Sequence, residues 1–142
     1  MGWQNPRHGR EGARVPEWRV VGAAFVGGSL GTVGRAALVL GVPAGAGHWP
    51  WATFIANIVG SGLLGWWATW LEHRPAPVYV RPLLCTGVCG GLTTFSTLQV
   101  ELLGMLDDGA YRLLAGYLAA SLAGGLLVAH AASVLVRRAV RA

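Results

Sequence analysis

Charge is what this chain has least of. Only 12% of its 142 residues are charged, just six are acidic, and every basic residue is an arginine. So little charge over that length argues against a soluble domain. Cysteine is scarce as well, with only Cys85 and Cys89. No histidine or second cysteine pair accompanies them, so neither zinc nor a disulfide is suggested. Four apart in one apolar run, they share a helix face and read as small packing residues. There is no phosphate loop, nucleophile elbow or metal-ligand cluster. An intramembrane serine protease needs a histidine base, and the only span histidine, His130, stands late in its span. Carboxylates are missing from mid-span positions, because Glu101 lies near a span end. Proton-coupled cation exporters usually need one there. No enzyme is implied.

What remains is strongly apolar. Hydrophobic residues make up 54% of the chain, with 22 glycines and seven tryptophans. That is the profile of a small polytopic membrane protein in a lipid bilayer. The net charge of +5 would suggest nucleic acid in a soluble protein. Here the arginines lie mostly in tails and connectors, where they read as a topology signal instead.

Residues 1–18 form an Arg-, Gly- and Pro-rich tail. Four spans are predicted, over about 19–41, 49–71, 78–106 and 111–136, with a basic tail at 137–142. The fold class is therefore all-α and integral to the membrane. Span one carries small-xxx-small spacing at Gly27/Gly31, which permits close helix approach. It also carries Arg35, which needs water or a partner, or snorkels to the interface. Span two opens with Trp49 and Trp51 and closes with Trp66, Trp67 and Trp70. The rise from Trp49 to Trp70, roughly 31 Å, matches the hydrocarbon core, so these read as belt residues. Asn57 lies between the belts. As a plain helix–helix hydrogen bond it is worth about 1 kcal/mol or less. Asp107-Asp108-Gly109 makes a tight turn. In span four, Tyr117 and Ser121 share a face.

The third span holds the most informative stretch, Gly87-Val88-Cys89-Gly90-Gly91-Leu92-Thr93-Thr94-Phe95-Ser96-Thr97-Leu98. Paired glycines lower helix propensity, and the hydroxyls compete for backbone hydrogen bonds. Irregular backbone at membrane depth survives only where protein or a water-filled cavity covers it. Two readings stand open: a broken helix that presents backbone groups to ions, or a close-packed seam with spare hydroxyls. The polar residues within the spans are Arg35, Asn57, Thr93, Thr94, Ser96, Thr97, Tyr117 and Ser121. All donate hydrogen bonds. A donor-rich, acid-poor interior suits an anion. A Phe95 ring turned edge-on would add an electropositive rim, although ordinary packing accounts for that residue equally well.

Three motifs bear a family resemblance. They are Gly27-Gly28-Ser29-Leu30-Gly31-Thr32-Val33-Gly34-Arg35, Thr53-Phe54-Ile55-Ala56-Asn57-Ile58-Val59-Gly60-Ser61, and the third-span stretch. With the four-span plan, they make the chain resemble the Fluc (CrcB) fluoride channels of bacteria beyond its N-terminal tail. The resemblance implies an antiparallel dimer of four-helix subunits with a break in the third helix. It implies two fluoride pathways at the interface, and a structural Na⁺ held by the carbonyls of Gly90 and Thr93 from each subunit. Fluoride would pass Asn57 and the ring edge of Phe95. Ser96, Thr97, Tyr117 and Ser121 would form a polar track with Glu101 near one end, and Arg35 would supply positive potential in the vestibule. The implied role is passive fluoride export across the cytoplasmic membrane.

Two departures stand out. The family usually has a second phenylalanine three residues after the first, where this chain has Leu98. Antiparallel homodimers also tend to show little arginine bias. Here Arg7, Arg10, Arg14, Arg19, Arg74, Arg137, Arg138 and Arg141 fall on the side of the termini, and only Arg112 on the other. The positive-inside rule then puts the termini in the cytoplasm. The expectation is one preferred orientation and a heterodimer with an oppositely inserted homologue, or else a non-conducting partner subunit. A small multidrug exporter has similar size and helix count, but its expected span-one carboxylate is missing.

Overall fold

The computed structural model describes residues 16–42 and 48–141. The polar tail up to residue 15, residues 43–47 of the first connector and Ala142 lie outside the described residues. The elements run α1 (Glu17–Gly41), α2 (Trp51–Glu72), a π-helical stretch (Pro82–Cys89), α3 (Gly90–Leu92), α4 (Phe95–Asp107) and α5 (Tyr111–Arg141). Four helical runs are long and apolar enough to cross a membrane: Glu17–Gly41, Trp51–Glu72, Pro82–Asp107 and Tyr111–Arg141. No strand occurs among the described residues.

Helix α5 continues through the basic residues at the end of the chain to Arg141. No proline or glycine after Gly125 is there to end it. Its 31 residues measure about 46 Å at 1.5 Å each, more than the roughly 30 Å hydrocarbon core, so one end of the helix outruns the core. At the other end, α4 turns into α5 through a Schellman cap. The Ala110 N–H donates to the Met105 carbonyl at 2.8 Å and the Gly109 N–H to Leu106 at 3.1 Å. Gly109 adopts φ 68°, the left-handed conformation that favours glycine at this position.

Two pairings organise the bundle. Helix α1 packs on the π-helical stretch and α3, while α2 packs on α5. The first pairing is a backbone-to-backbone seam. A Cβ on Gly27 would strike the Leu83 carbonyl oxygen, and one on Gly31 would strike the Val88 carbonyl oxygen. One on Gly87 would sit 2.7 Å from the Ala24 oxygen. Only hydrogen fits along this line, as expected where spanning helices associate through close van der Waals packing.

The span-end tryptophans differ in what they touch. Trp51 is 53% exposed and Trp66 is 43% exposed, but Trp49 packs against the buried cluster of Leu98, Met105 and Tyr117. Its ring meets that of Tyr117 edge to face at 5.3 Å and 84°. The aromatic partner in α5 draws the indole inward.

The seam makes a prediction about two glycines of one helix. Gly31→Ala should destabilise the protein by about 1–3 kcal/mol through overpacking. Gly22→Ala, where a Cβ meets nothing within 4 Å, should be neutral or gain up to about 1 kcal/mol of helix propensity. Thermal unfolding in detergent measures both.

Candidate functional site

Between α3 and α4 the backbone is extended for two residues. Thr93 has φ −78° and ψ 152°, and Thr94 has φ −147° and ψ 123°. Leaving the helix at membrane depth orphans several backbone groups, each costly without a partner. Side chains of Asn57, Thr94 and Arg35 take several of them up. Asn57 on α2 accepts from the Thr94 N–H through Oδ1 at 2.8 Å. It also donates from Nδ2 to the Thr94 carbonyl at 3.1 Å. One amide thus pairs with both backbone groups of one residue. The Thr93 hydroxyl adds a bond at 2.8 Å to the Cys89 carbonyl, which also accepts from the Thr93 N–H at 2.9 Å. Thr94 caps α4, its Oγ1 accepting from the Thr97 N–H at 3.3 Å. The Thr97 hydroxyl lies 3.0 Å from the same oxygen, and that of Ser96 lies 3.3 Å from it. The second hydroxyl of the run therefore organises the third and fourth.

Arg35 belongs to this accounting. Its Nε donates to the Gly91 carbonyl at 3.2 Å, the oxygen that Phe95 N–H would take in an unbroken helix. The guanidinium is thus fixed by a packed backbone partner, which the sequence left open.

An open groove of about 350 Å³ runs along this region. It brings together Asn57, Gly90, Thr93, Thr94, Phe95 and Ser121, all named from the sequence. Phe95 is 68% exposed on the single chain. Leu98, also in the groove wall, is only 4% exposed, because it faces Met105 and Tyr117. Cys85 and Cys89 are free and line the same groove.

Glu101 and Tyr117 meet elsewhere, at a second cluster. The Tyr117 hydroxyl donates to Glu101 Oε2 at 2.7 Å. The Thr53 hydroxyl donates to Oε1 at 2.6 Å. Glu101 is half-buried rather than free at a span end. Thr53 opens the second family motif, but its sequence context assigns it no role. The available signal was its position one turn before Asn57 on the same helix face. The Ser121 hydroxyl, one turn along α5 from Tyr117, is buried and has no partner.

The Arg35 contact separates a hydrogen-bonding role from a purely electrostatic one. In Arg35→Gln the amide nitrogen stands as many bonds from the backbone as Nε does, so a donor to Gly91 remains while the charge is lost. Thermal unfolding should show Arg35→Gln close to wild type. Arg35→Ala should be weaker by about 1–2 kcal/mol, the cost of an orphaned carbonyl.

Comparison with known proteins follows the same residues. The family pattern described as "CrcB-like protein, Camphor Resistance (CrcB)" matches residues 22–133. A protein of Mycolicibacterium paratuberculosis called "Fluoride-specific ion channel FluC 1" is 51% identical over 123 residues, covering 86% of this chain and 93% of its own. "Fluoride-specific ion channel FluC" of Bordetella bronchiseptica is 40% identical over 120 residues, covering 84% and 92%. "Fluoride-specific ion channel FluC 2" of Geobacillus kaustophilus is 41% identical over 111 residues, covering 77% and 86%. With the match spanning all four apolar helices and the motifs around Arg35, Asn57 and Phe95, this chain belongs to the CrcB family.

Proposed function

We propose that the chain is a fluoride-selective channel that lets the anion leave the cytoplasm passively across the cytoplasmic membrane. The observation that carries this reading is the groove at the extended pair, where Asn57, Thr93, Thr94 and Ser121 stand in a mostly apolar wall without a carboxylate. The relatives' names point the same way. Fluoride is small and strongly hydrated, so a pathway must replace its water with closely spaced donors. Asn57 uses one Nδ2 hydrogen on Thr94 and keeps the other. The first N–H groups of α4 have no carbonyl within their own helix, and they lie beside Phe95 and Ser96. The Phe95 ring edge and the hydroxyls of Ser96, Thr97 and Ser121 continue the track toward the Tyr117–Glu101 pair. Arg35 adds positive potential at the vestibule. HF enters as a neutral acid and ionises inside, and the anion follows the membrane potential out.

The extended pair also fits the family's structural Na⁺. The Thr94 N–H goes to Asn57 and so leaves the Gly90 carbonyl, its partner in an unbroken helix. The Thr93 carbonyl is turned out of the helix by ψ 152°. Oxygen donors of this kind suit a hard cation. Two per chain are too few, so a second, antiparallel copy is part of the reading. The ion would tie the two interruptions together.

A second reading is a partner subunit within a heterodimer. Leu98, buried inside its own subunit, offers no ring edge to an anion. The eight-to-one arginine asymmetry favours one orientation, with the termini in the cytoplasm. Liposomes holding only this chain distinguish the readings. The channel reading predicts rapid fluoride efflux without chloride efflux. Asn57→Asp should slow it by more than about a hundredfold, because a fixed like charge in the pathway costs several kcal/mol. Phe95→Ile should slow it too. Silence from folded protein, restored by co-expression with a homologue, would give the second reading.

A further inference from the structure

The Glu101 cluster has consumed its own donors. Thr53 and Tyr117 both point their hydroxyl hydrogens at the carboxylate, and neither has another to give. An anion arriving there needs a donor from elsewhere. Two side-chain polar atoms among the described residues are fully buried and without a hydrogen-bond partner: Ser121 Oγ and Trp49 Nε1. Both flank Tyr117. Ser121 stands one turn along α5 and lines the groove. Trp49 lies against the Tyr117 ring, its own ring 5.3 Å away. The six-membered edge of the indole is directed at Gly116, since Cζ3 would be 4.0 Å from a Cβ there. Nε1 is on the opposite side of the indole.

We propose that the Trp49 indole N–H is an anion-binding station for fluoride beside the Glu101 cluster, at the α2 N-terminal end of the track. This rests on the channel reading above. An indole nitrogen only donates, and leaving a buried donor unpaired is unfavourable. A donor that cannot accept favours an anion over a cation. The carboxylate makes a poor permanent neighbour for fluoride, and such a station holds it briefly. Multiple weak stations are what conduction requires. The competing partner is an aromatic face, because Phe54 also meets Trp49 nearly perpendicularly, at 5.5 Å and 80°.

The test uses the full chain in nanodiscs with ¹⁵N-labelled tryptophan. The Trp49 indole resonance is assigned by its loss in Trp49→Phe. If that variant does not fold, a chain with every other tryptophan changed to Phe supplies the assignment. Titration with NaF should move the Trp49 indole proton downfield saturably, and NaCl should not. Trp49→Phe, which keeps a ring and removes the donor, should slow fluoride efflux from liposomes roughly tenfold, the scale of one hydrogen bond to an ion. An indole resonance indifferent to fluoride, in a chain whose liposomes still release it, overturns the station and leaves the channel. An upfield, ring-current-shifted proton unmoved by either salt identifies an aromatic face as the partner and also overturns it. Wild-type liposomes that release no fluoride sink the channel reading, and this site with it.

Discussion

The pair of hydrogen bonds between the Asn57 amide and the backbone of Thr94 holds the rest of the arrangement in place. A spanning helix that turns extended for two residues exposes backbone groups where no bulk water reaches them. An amide side chain is the one neutral group that donates and accepts in the spacing of a peptide. Asn57 therefore stands in for the neighbouring strand or helical turn that Thr94 lacks. With that contact made, α4 starts afresh at Phe95 with its own cap, and the hydroxyl run clusters around Thr94 Oγ1.

The other partners follow from the same need. Arg35 reaches the Gly91 carbonyl only because α1 lies against α3 at backbone distance. That closeness requires hydrogen in place of a side chain at Gly27, Gly31, Gly87 and Gly91. Glycine in this chain is thus a packing device first. The π-helical stretch (Pro82–Cys89) belongs to the same seam, and such turns are rare and concentrate at functional sites. The backbone thus satisfied leaves Gly90 and Phe95 facing outward on the single chain.

Much of this is legible in the sequence, in a particular sense. A lone amide in an apolar span must find a partner, so Asn57 stands out. Its partner does not, because Thr94 lies 37 residues away and only the packing of α2 on the third span brings them together. Thr53 is hidden for the same reason: a threonine in a helix reads as neutral until Glu101, 48 residues on, is placed beside it. Glu101 near a helix end invites an interfacial reading, yet α4 ends against α5, and Tyr117 meets it there. Trp49 adds contacts that the sequence does not show. Its place at a span end reads as interfacial, and its two edge-to-face partners, Tyr117 and Phe54, appear only in the packed structure. Leu98 as a replacement for an aromatic is visible in the chain. That it faces Met105 and Tyr117 is not.

The measurement that bears most directly on this account is hydrogen–deuterium exchange at the Thr94 amide in the reconstituted protein. It lies outside any helix, so ordinary helical protection does not apply to it. The account predicts that it exchanges slowly in the wild type. In Asn57→Leu, similar in size but without an acceptor, it should exchange at least about tenfold faster, as the loss of one buried hydrogen bond implies. A Thr94 amide that exchanges in the wild type as fast as an unprotected peptide, or one whose slow exchange survives Asn57→Leu, would contradict it.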